Sequence, residues 1–375
     1  MTATVHLDVT ELVRTPIRTG IQRVERELIR HWPGPSQLVP VMAGPTGFLT
    51  LPRDVLSRLV EGTPSPLGWF HRLVAMARPL RADPARLRLL NPELFSDAVR
   101  ARLYTDLIGA GVGAVGWIIY DFFTWLCPKY FQPGSARHNM HYLQALRAVP
   151  HVAHISEQTR HDYEDRIMRG RGRPGPVISL GADGLGLAQQ QFSPQRNRYV
   201  SFGTLEPRKN VACLLEAFAQ LWAEGCTAEL VLVGKLREGT EAEVMWLNRL
   251  RTEPRLRYFG HADDATLREV LAGARAMVFA SEAEGFGLPP LEALNAGIPV
   301  IVSARVPSIA MLAPGGQIRL PKVDAAAVVA AVRSLQDDAT AALLWREAAA
   351  LPTHSWQQFA NEVADWSLAM PISPA

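Results

Sequence analysis

Apolar positions in the second half of the chain fall into short runs separated by stretches of helical period. Tyr199 to Gly203 (YVSFG) is an apolar, β-branched and aromatic run closed by glycine, the pattern of a buried strand. After Asn210, apolar residues at 214, 215, 218, 221 and 222 share one helix face, and Gly225 ends it. Glu229 to Gly234 (ELVLVG) predicts the next strand, Arg257 to Gly260 a third, Ala276 to Ser281 (AMVFAS) a fourth and Pro299 to Ser303 (PVIVS) a fifth. Between them, Asp263 or Asp264 can cap a helix bearing Leu267, Val270, Leu271 and Ala274. Another helix is predicted over 288–296, with Pro290 near its start and Gly297 just past its end. Strands and helices alternating at this spacing call for a parallel sheet covered on both faces.

The first half alternates less regularly. VHLDVT, Leu38 to Val41, Ala114 to Tyr120 and Val152 to Ile155 read as strands, with helices after Thr19-Gly20 and from Ser156. Residues 169–198 turn rich in Gly, Pro and Arg and read as an inter-domain linker with one strand, Val177 to Leu180, inside it. HSWQQFANEVADW predicts a terminal helix bearing Trp356, Phe359, Val363 and Trp366. No internal repeat interrupts this order.

A length of 375 residues favours two domains. Hydrophobic content of 48% with 20% charged residues excludes disorder, and no run reaches the roughly 18 apolar residues of a membrane span. The N-terminal MTATVHLDVTEL lacks a basic region and meets Asp8 early, so no signal peptide is expected. Cys127, Cys213 and Cys226 form no CxxC pair, which argues against a disulfide scaffold or zinc site and suits a reducing cytoplasm. A net charge of +3 gives no case for nucleic acid. Only Lys129, Lys209, Lys235 and Lys322 among the 39 basic residues are lysines, so a lysine inside a motif carries more weight than usual.

Ligands of open parallel sheets bind at the carboxyl ends of the strands, where helix N-termini converge. Gly203 to Asn210 (GTLEPRKN) falls there. Two cations at a helix start oppose the positive end of its dipole, by a few tenths to about 1 kcal/mol each. A phosphate or diphosphate lying between them would offset that; an exposed Arg-Lys pair neutralised by Glu206 is the other account. Ser281 to Glu292 (SEAEGFGLPPLE) also falls there, with Glu284 on a Gly-rich turn and Glu292 early in the next helix. Such a turn lets backbone amides approach a ligand, and its carboxylates can accept from sugar hydroxyls. Helix capping would account for Glu292 alone. Arg18 to Gln22 (RTGIQ) opens a helix on glycine, which suits either phosphate contact or an ordinary turn.

In this order the motifs GTLEPRKN, LVLVGK, YFGH-x-DD-x-x-L and EGFGLPPLEALNAGIPVI resemble glycosyltransferase family four, the retaining GT-B enzymes. TGIQRV, Tyr120-Asp121 and Ser156 to Arg160 resemble the acceptor side of a bacterial polysaccharide branch. The resemblance implies an α/β protein of two Rossmann-like, doubly wound domains facing a central cleft, 1–190 for the acceptor and 191–352 for the donor. A C-terminal helix in 353–375 would cross back to the first domain. Carried over by residue, Arg208 and Lys209 would bind the donor diphosphate, Glu284 the donor sugar and Glu292 the nucleotide ribose. Gly20, Gly203, Thr204, Gly234, Lys235, Gly260, His261, Gly285, Phe286, Gly287 and Leu288 would complete the donor side. Tyr120, Asp121, Ser156, Thr159 and Arg160 would lie on the acceptor side, with Asp121 the candidate if a side-chain base is needed. Many family members have Arg at the position of Thr204 and His at that of Tyr120.

The implied reaction is retaining transfer of a sugar, mannose or rhamnose-like, from a nucleotide-diphosphate donor to a glycan or lipid-linked acceptor in surface polysaccharide biosynthesis. No D-x-D triplet occurs, so neither a metal nor another cofactor is expected. A nucleotide-sugar epimerase or a non-catalytic carbohydrate-binding paralogue would share the architecture. The basic, partly apolar stretch from Trp69 to Leu90 suits either peripheral contact with the inner face of the cytoplasmic membrane or a solvated arginine face.

Overall fold

A computed structural model describes residues 3–15, 19–34, 36–61, 69–237, 240–260 and 262–372. The chain divides into two compact units, Met1–Trp125 with Pro133–Gly181 and Ser355–Ala375, and Leu126–Gln132 with Ala182–His354. His261 and Arg18 lie outside the described residues.

The first unit is built on β1 (Thr4–Asp8), β2 (Gln37–Ala43), β3 (Phe48–Thr50), β4 (Arg78–Pro79), β5 (Arg88–Asn91), β6 (Ala114–Ile119) and β7 (His151–His154), in the order β4-β3-β2-β1-β5-β6-β7. From β2 to β7 the neighbours run parallel; β3 and β4 add an antiparallel edge. Every residue of β6 (AVGWII) is buried, as a central strand covered on both faces requires. The terminal helix Trp356–Ala369 is closed by a capping box at Ser355 and Gln358 and buries Trp356, Phe359 and Val363 within this unit. Gln357 reaches the His31 carbonyl at 2.9 Å, and the Arg88 guanidinium donates to the Leu368 carbonyl.

The second unit is built on β8 (Arg198–Phe202), β9 (Glu229–Val233), β10 (Leu256–Phe259), β11 (Ala274–Phe279), β12 (Val300–Ser303) and β13 (Gln317–Leu320). Its order is β10-β9-β8-β11-β12-β13, parallel throughout. The order reverses between β8 and β11, so the loops leaving those two strands diverge to opposite faces and open a crevice at their carboxyl ends.

Three features differ from the sequence reading. β5 overlaps the end of the basic stretch, with only Leu89 and Leu90 apolar and the half-buried Arg88 satisfied by the Leu368 carbonyl. β13 lacked an apolar run: Gln317 and Arg319 occupy half of it. Val177 makes only an isolated bridge to His154, because Pro174 and Pro176 remove the amides a longer ladder would use.

Candidate functional site

The crevice of the second unit is formed by the loops after β8 and β11. Beyond Phe202 the chain passes Gly203 and an exposed Thr204, and Leu205 bridges to Leu236 with its amide on the Lys235 carbonyl at 2.9 Å. Pro207–Lys209 is a single 3-10 turn, and Asn210 (φ 53°) turns left-handed to start the helix Val211–Ala223. Asparagine tolerates that conformation better than most side chains. Arg208 and Lys209 therefore precede the helix rather than occupy its first turn.

Protein carboxylates compensate the two cations. Arg208 contacts Glu206 at 2.5 Å and Glu284 at 2.8 Å, and Lys209 pairs with the other oxygen of Glu284. The side chains of Arg208, Lys209 and Glu284 are only 18%, 12% and 7% exposed, so this is not the solvated pair that the alternative account required. Lys209 also sits 4.7 Å from the centroid of the Phe279 ring, within cation–π reach. Burial alone would raise the Glu284 carboxyl, but Lys209 and Arg208 outweigh it and hold its pKa at about 2. Burial, helped by Arg208, keeps the Lys209 ammonium below its usual range despite Glu284.

The two loops interlock through the main chain. The Glu282 amide and Ser281 hydroxyl donate to the Arg208 carbonyl at 2.8 and 3.2 Å, and Arg208 donates to the Ala283 carbonyl at 2.7 Å. Gly287 (φ 94°) precedes the helix Leu288–Asn295, and a Cβ there would meet Val306 at 2.3 Å, so only glycine suits the turn. Phe286 and Gly287 are fixed by the Ser308 amide and hydroxyl, each bonding to a carbonyl at 2.8 Å. Glu292 is buried at 2% exposure in that helix. A small pocket lies beneath, lined by Ser201, Gly203, Thr204, Lys209, Phe279 and Ala280 among others.

Thus Gly203, Thr204, Arg208, Lys209, Glu284, Gly285, Phe286, Gly287, Leu288 and Glu292 come from the two loops and the helix between β11 and β12. Gly234 and the exposed Lys235 follow β9. Gly234 lies so close to the loop after β8 that a Cβ would fall 1.8 Å from the Gly203 carbonyl oxygen. Gly260 follows β10 and is exposed.

The acceptor-side candidates belong to the first unit and are more committed to the fold than the motif suggested. Ser156 caps the helix Glu157–His161, and the Thr159 hydroxyl bonds to the Tyr120 carbonyl at 2.8 Å; both residues are buried. Tyr120 is 7% exposed, and its hydroxyl is held well above its usual range by burial, with Glu25 and Tyr142 adding to it. Asp121 is half-buried and accepts from the Phe123 amide at 3.2 Å; Arg160 pairs with Glu157 at 2.5 Å. Gly20 is exposed as the first residue of the helix Gly20–Arg30, capped by Thr19.

A second charged cluster, not signalled by any motif, lies where β1 meets β5. Arg100, fully buried, contacts Asp8 at 2.7 Å and Glu93 at 2.6 Å. Tyr104 donates to Asp8 at 2.6 Å, and Glu93 accepts the Glu11 and Leu12 amides at 2.9 and 2.8 Å. Glu25 is fully buried beside Glu93. Burial, only partly opposed by Arg100, lifts the Glu93 carboxyl to about 7; burial and then Glu93 push that of Glu25 well above the ordinary range.

Comparison with known proteins puts the first of these clusters inside a matched region. A family model described as glycosyl transferases group 1 matches residues 187–351. The O-antigen chain mannosyltransferase B of Escherichia coli is 26% identical over 369 residues, covering 91% of each chain. Residues 187–351 thus form a group 1 glycosyltransferase region, and the chain is a glycosyltransferase. The transferase is also 28% identical over 331 residues to a serotype-specific mannosyltransferase, WbdA, of Escherichia coli, matching 79% of its own length but 38% of that longer relative. HepE of Anabaena, solved with UDP-glucose, superposes with a TM-score of 0.66 at 16% identity over 96% of the transferase and 98% of HepE, which establishes the GT-B fold class. Among the described residues, no helix of the transferase is long and apolar enough to cross a membrane.

Proposed function

We propose that this glycosyltransferase moves mannose, with retained anomeric configuration and without a metal ion, from a nucleoside diphosphate to a hydroxyl of a glycan or lipid-linked saccharide during surface polysaccharide assembly. The observation that carries the reading is the buried Arg208–Lys209–Glu284 cluster at the switch point of the β8–β11 sheet, inside the region matching the group 1 family. The Escherichia coli relatives support mannose and a polysaccharide acceptor, and HepE, crystallised with UDP-glucose, supports a nucleotide-sugar donor.

As the bond from the anomeric carbon to the phosphate oxygen breaks, the leaving diphosphate gains negative charge. Lys209 carries three N–H donors, one of which meets Glu284, and in this reading the remaining donors serve phosphate oxygens. Arg208 adds a second fixed charge in a largely dehydrated site, where each such group contributes about 3 kcal/mol to transition-state stabilisation. Glu284 holds both cations and faces the sugar. Retention follows if the acceptor oxygen attacks from the leaving-group face and its proton passes to the departing phosphate oxygen. Asp121 remains the candidate for contact with the acceptor hydroxyl. We place the protein in the cytoplasm, with the exposed Val74, Met76, Arg78 and Arg81 available for contact with anionic lipid at the inner membrane face.

The test is turnover by Arg208→Ala and Lys209→Ala with GDP-mannose, UDP-sugars and dTDP-rhamnose, in EDTA and with added Mg²⁺. A loss of about 10²–10³-fold in kcat for each variant is expected, with the wild type active in EDTA. Near-normal rates in both variants overturn the site; dependence on Mg²⁺ overturns the metal-free mechanism.

A further inference from the structure

Residues 126–132 interrupt the sequence of the first unit. The chain leaves that unit after Trp125, rejoins it at Pro133, and packs the intervening segment with the second unit. Pro128–Tyr130 forms a 3-10 turn closed by the Tyr130 amide on the Cys127 carbonyl at 3.1 Å. This turn presents two side chains to Glu282. The Tyr130 hydroxyl donates to Oε2 of Glu282 at 2.5 Å, and Lys129 Nζ lies 3.9 Å from the same oxygen and 4.5 Å from the Tyr130 ring centroid.

These contacts are unequal. The Lys129 and Glu282 side chains are 71% and 44% exposed, so their ion pair contributes little. The phenol–carboxylate bond is the closer and more directional of the two contacts. Glu282 is two residues from Glu284, and its amide is bonded to the Arg208 carbonyl. The loop that carries Glu284 is thus held by Arg208 through its main chain and by Tyr130 through the Glu282 side chain.

We propose that Tyr130 is a positioning residue of the donor loop: through Glu282 it fixes the register in which Glu284 meets Arg208 and Lys209. The inference rests on the donor-site reading above. The phenol touches none of the proposed donor-binding groups and acts through the backbone between 282 and 284. Removing its hydroxyl leaves the Glu282 side chain only the exposed Lys129 pair, without altering any charge in the cluster.

The experiment compares wild type, Tyr130→Phe, Glu282→Ala, Glu282→Gln and the Tyr130→Phe/Glu282→Ala double variant. The readouts are hydrogen exchange of peptides spanning 281–287, calorimetry with GDP and UDP, and the kinetic constants for the nucleotide sugar. Tyr130→Phe and Glu282→Ala are expected to speed exchange of that loop several-fold, with β8 and the helix Val211–Ala223 unchanged. Both should weaken nucleotide binding and raise KM about 3–10-fold while kcat stays within about twofold, as for the loss of one solvent-exposed hydrogen bond. The double variant should be no worse than either single one, and Glu282→Gln, which keeps an acceptor oxygen, should retain most of the wild-type affinity. Unchanged loop exchange, or additive effects in the double variant, overturns the proposal. Faster exchange with unaltered nucleotide affinity and KM overturns the positioning role. A wild type that binds no nucleotide sinks the donor-site reading instead, and loop exchange still decides whether Tyr130 holds the loop.

Discussion

Each sheet gathers charge where its strand order reverses, and the two clusters are built on opposite ratios. In the second unit, Arg208 and Lys209 face Glu206 and Glu284, two cations against two carboxylates, with 7–18% of each side chain exposed. In the first unit Arg100 alone faces Asp8, Glu93 and Glu25, all within about 1% exposure. A balanced cluster keeps its carboxylate ionised, and Glu284 is held at about 2. In the sealed cluster burial, only partly opposed by Arg100 and helped by Asp8, favours the protonated form, and Glu93 is lifted to about 7. The same position in a doubly wound sheet thus yields either a partly open, ionised surface suited to an anionic ligand or a sealed brace within the fold. Access to solvent and the count of cations decide which.

The largest effect expected from this contrast is on the brace. Arg100→Met leaves Asp8, Glu93 and Glu25 buried with no cation, and removal of one partner from such a cluster typically costs about 3–5 kcal/mol. Urea unfolding at pH 7 measures it, and a loss under about 1 kcal/mol would show that the network is not held together by that guanidinium. Glu284→Gln should invert the pattern. Arg208 keeps Glu206 and the amide oxygen can still accept from Lys209, so stability falls less than for Arg100→Met, whereas kcat/KM for the nucleotide sugar drops by about 10²-fold or more. If the variant loses stability but not activity, the two clusters serve the same purpose and the distinction fails.

These clusters differ as much in how legible they were from sequence. The donor loops could be read because their chemistry is contiguous: Glu206, Arg208 and Lys209 fall within four positions, and Glu284 within a Gly-rich turn after an apolar run. The strands that place them, β8, β9, β11 and β12, are short, mainly apolar runs closed by small residues. The brace was invisible because Asp8, Glu25, Glu93 and Arg100 are scattered over four elements, and each reads singly as a polar position on a helix or beside a loop. Only the pairing of β1 with β5 brings them together, and β5 was itself hidden by the arginines around it. Tyr130 was missed for a related reason: nothing local says that residues 126–132 pack with a unit whose other residues begin at 182.

The smallest expected effect is the most discriminating, because it turns on the sign of a pH dependence. The native Glu93 carboxyl titrates at about 7 against an ordinary value of 4.5, so between those values the native state holds a proton that the unfolded chain has lost. Stability contributed by this group is complete below pH 4.5 and declines as pH rises through 7, by up to about 1.4 kcal/mol per pH unit for one proton. Glu284 acts in the opposite sense: its native value of about 2 contributes stability above pH 4.5 that is lost as pH falls toward 2. Glu25, pushed above its ordinary range by burial and by Glu93, is the side chain whose removal separates the two. Glu25→Gln fills the same space with a group that needs no proton and can donate to Glu93. It should therefore leave stability at pH 4.5 nearly unchanged, raise it by about 1 kcal/mol at pH 8, and flatten the alkaline limb without altering the acid limb. Urea unfolding of wild type and variant across pH 3–9 makes the comparison. An equal destabilisation at pH 4.5 and pH 8 would mean that Glu25 contributes by shape alone, and that carboxylate excess is not what sets the brace apart from the donor site.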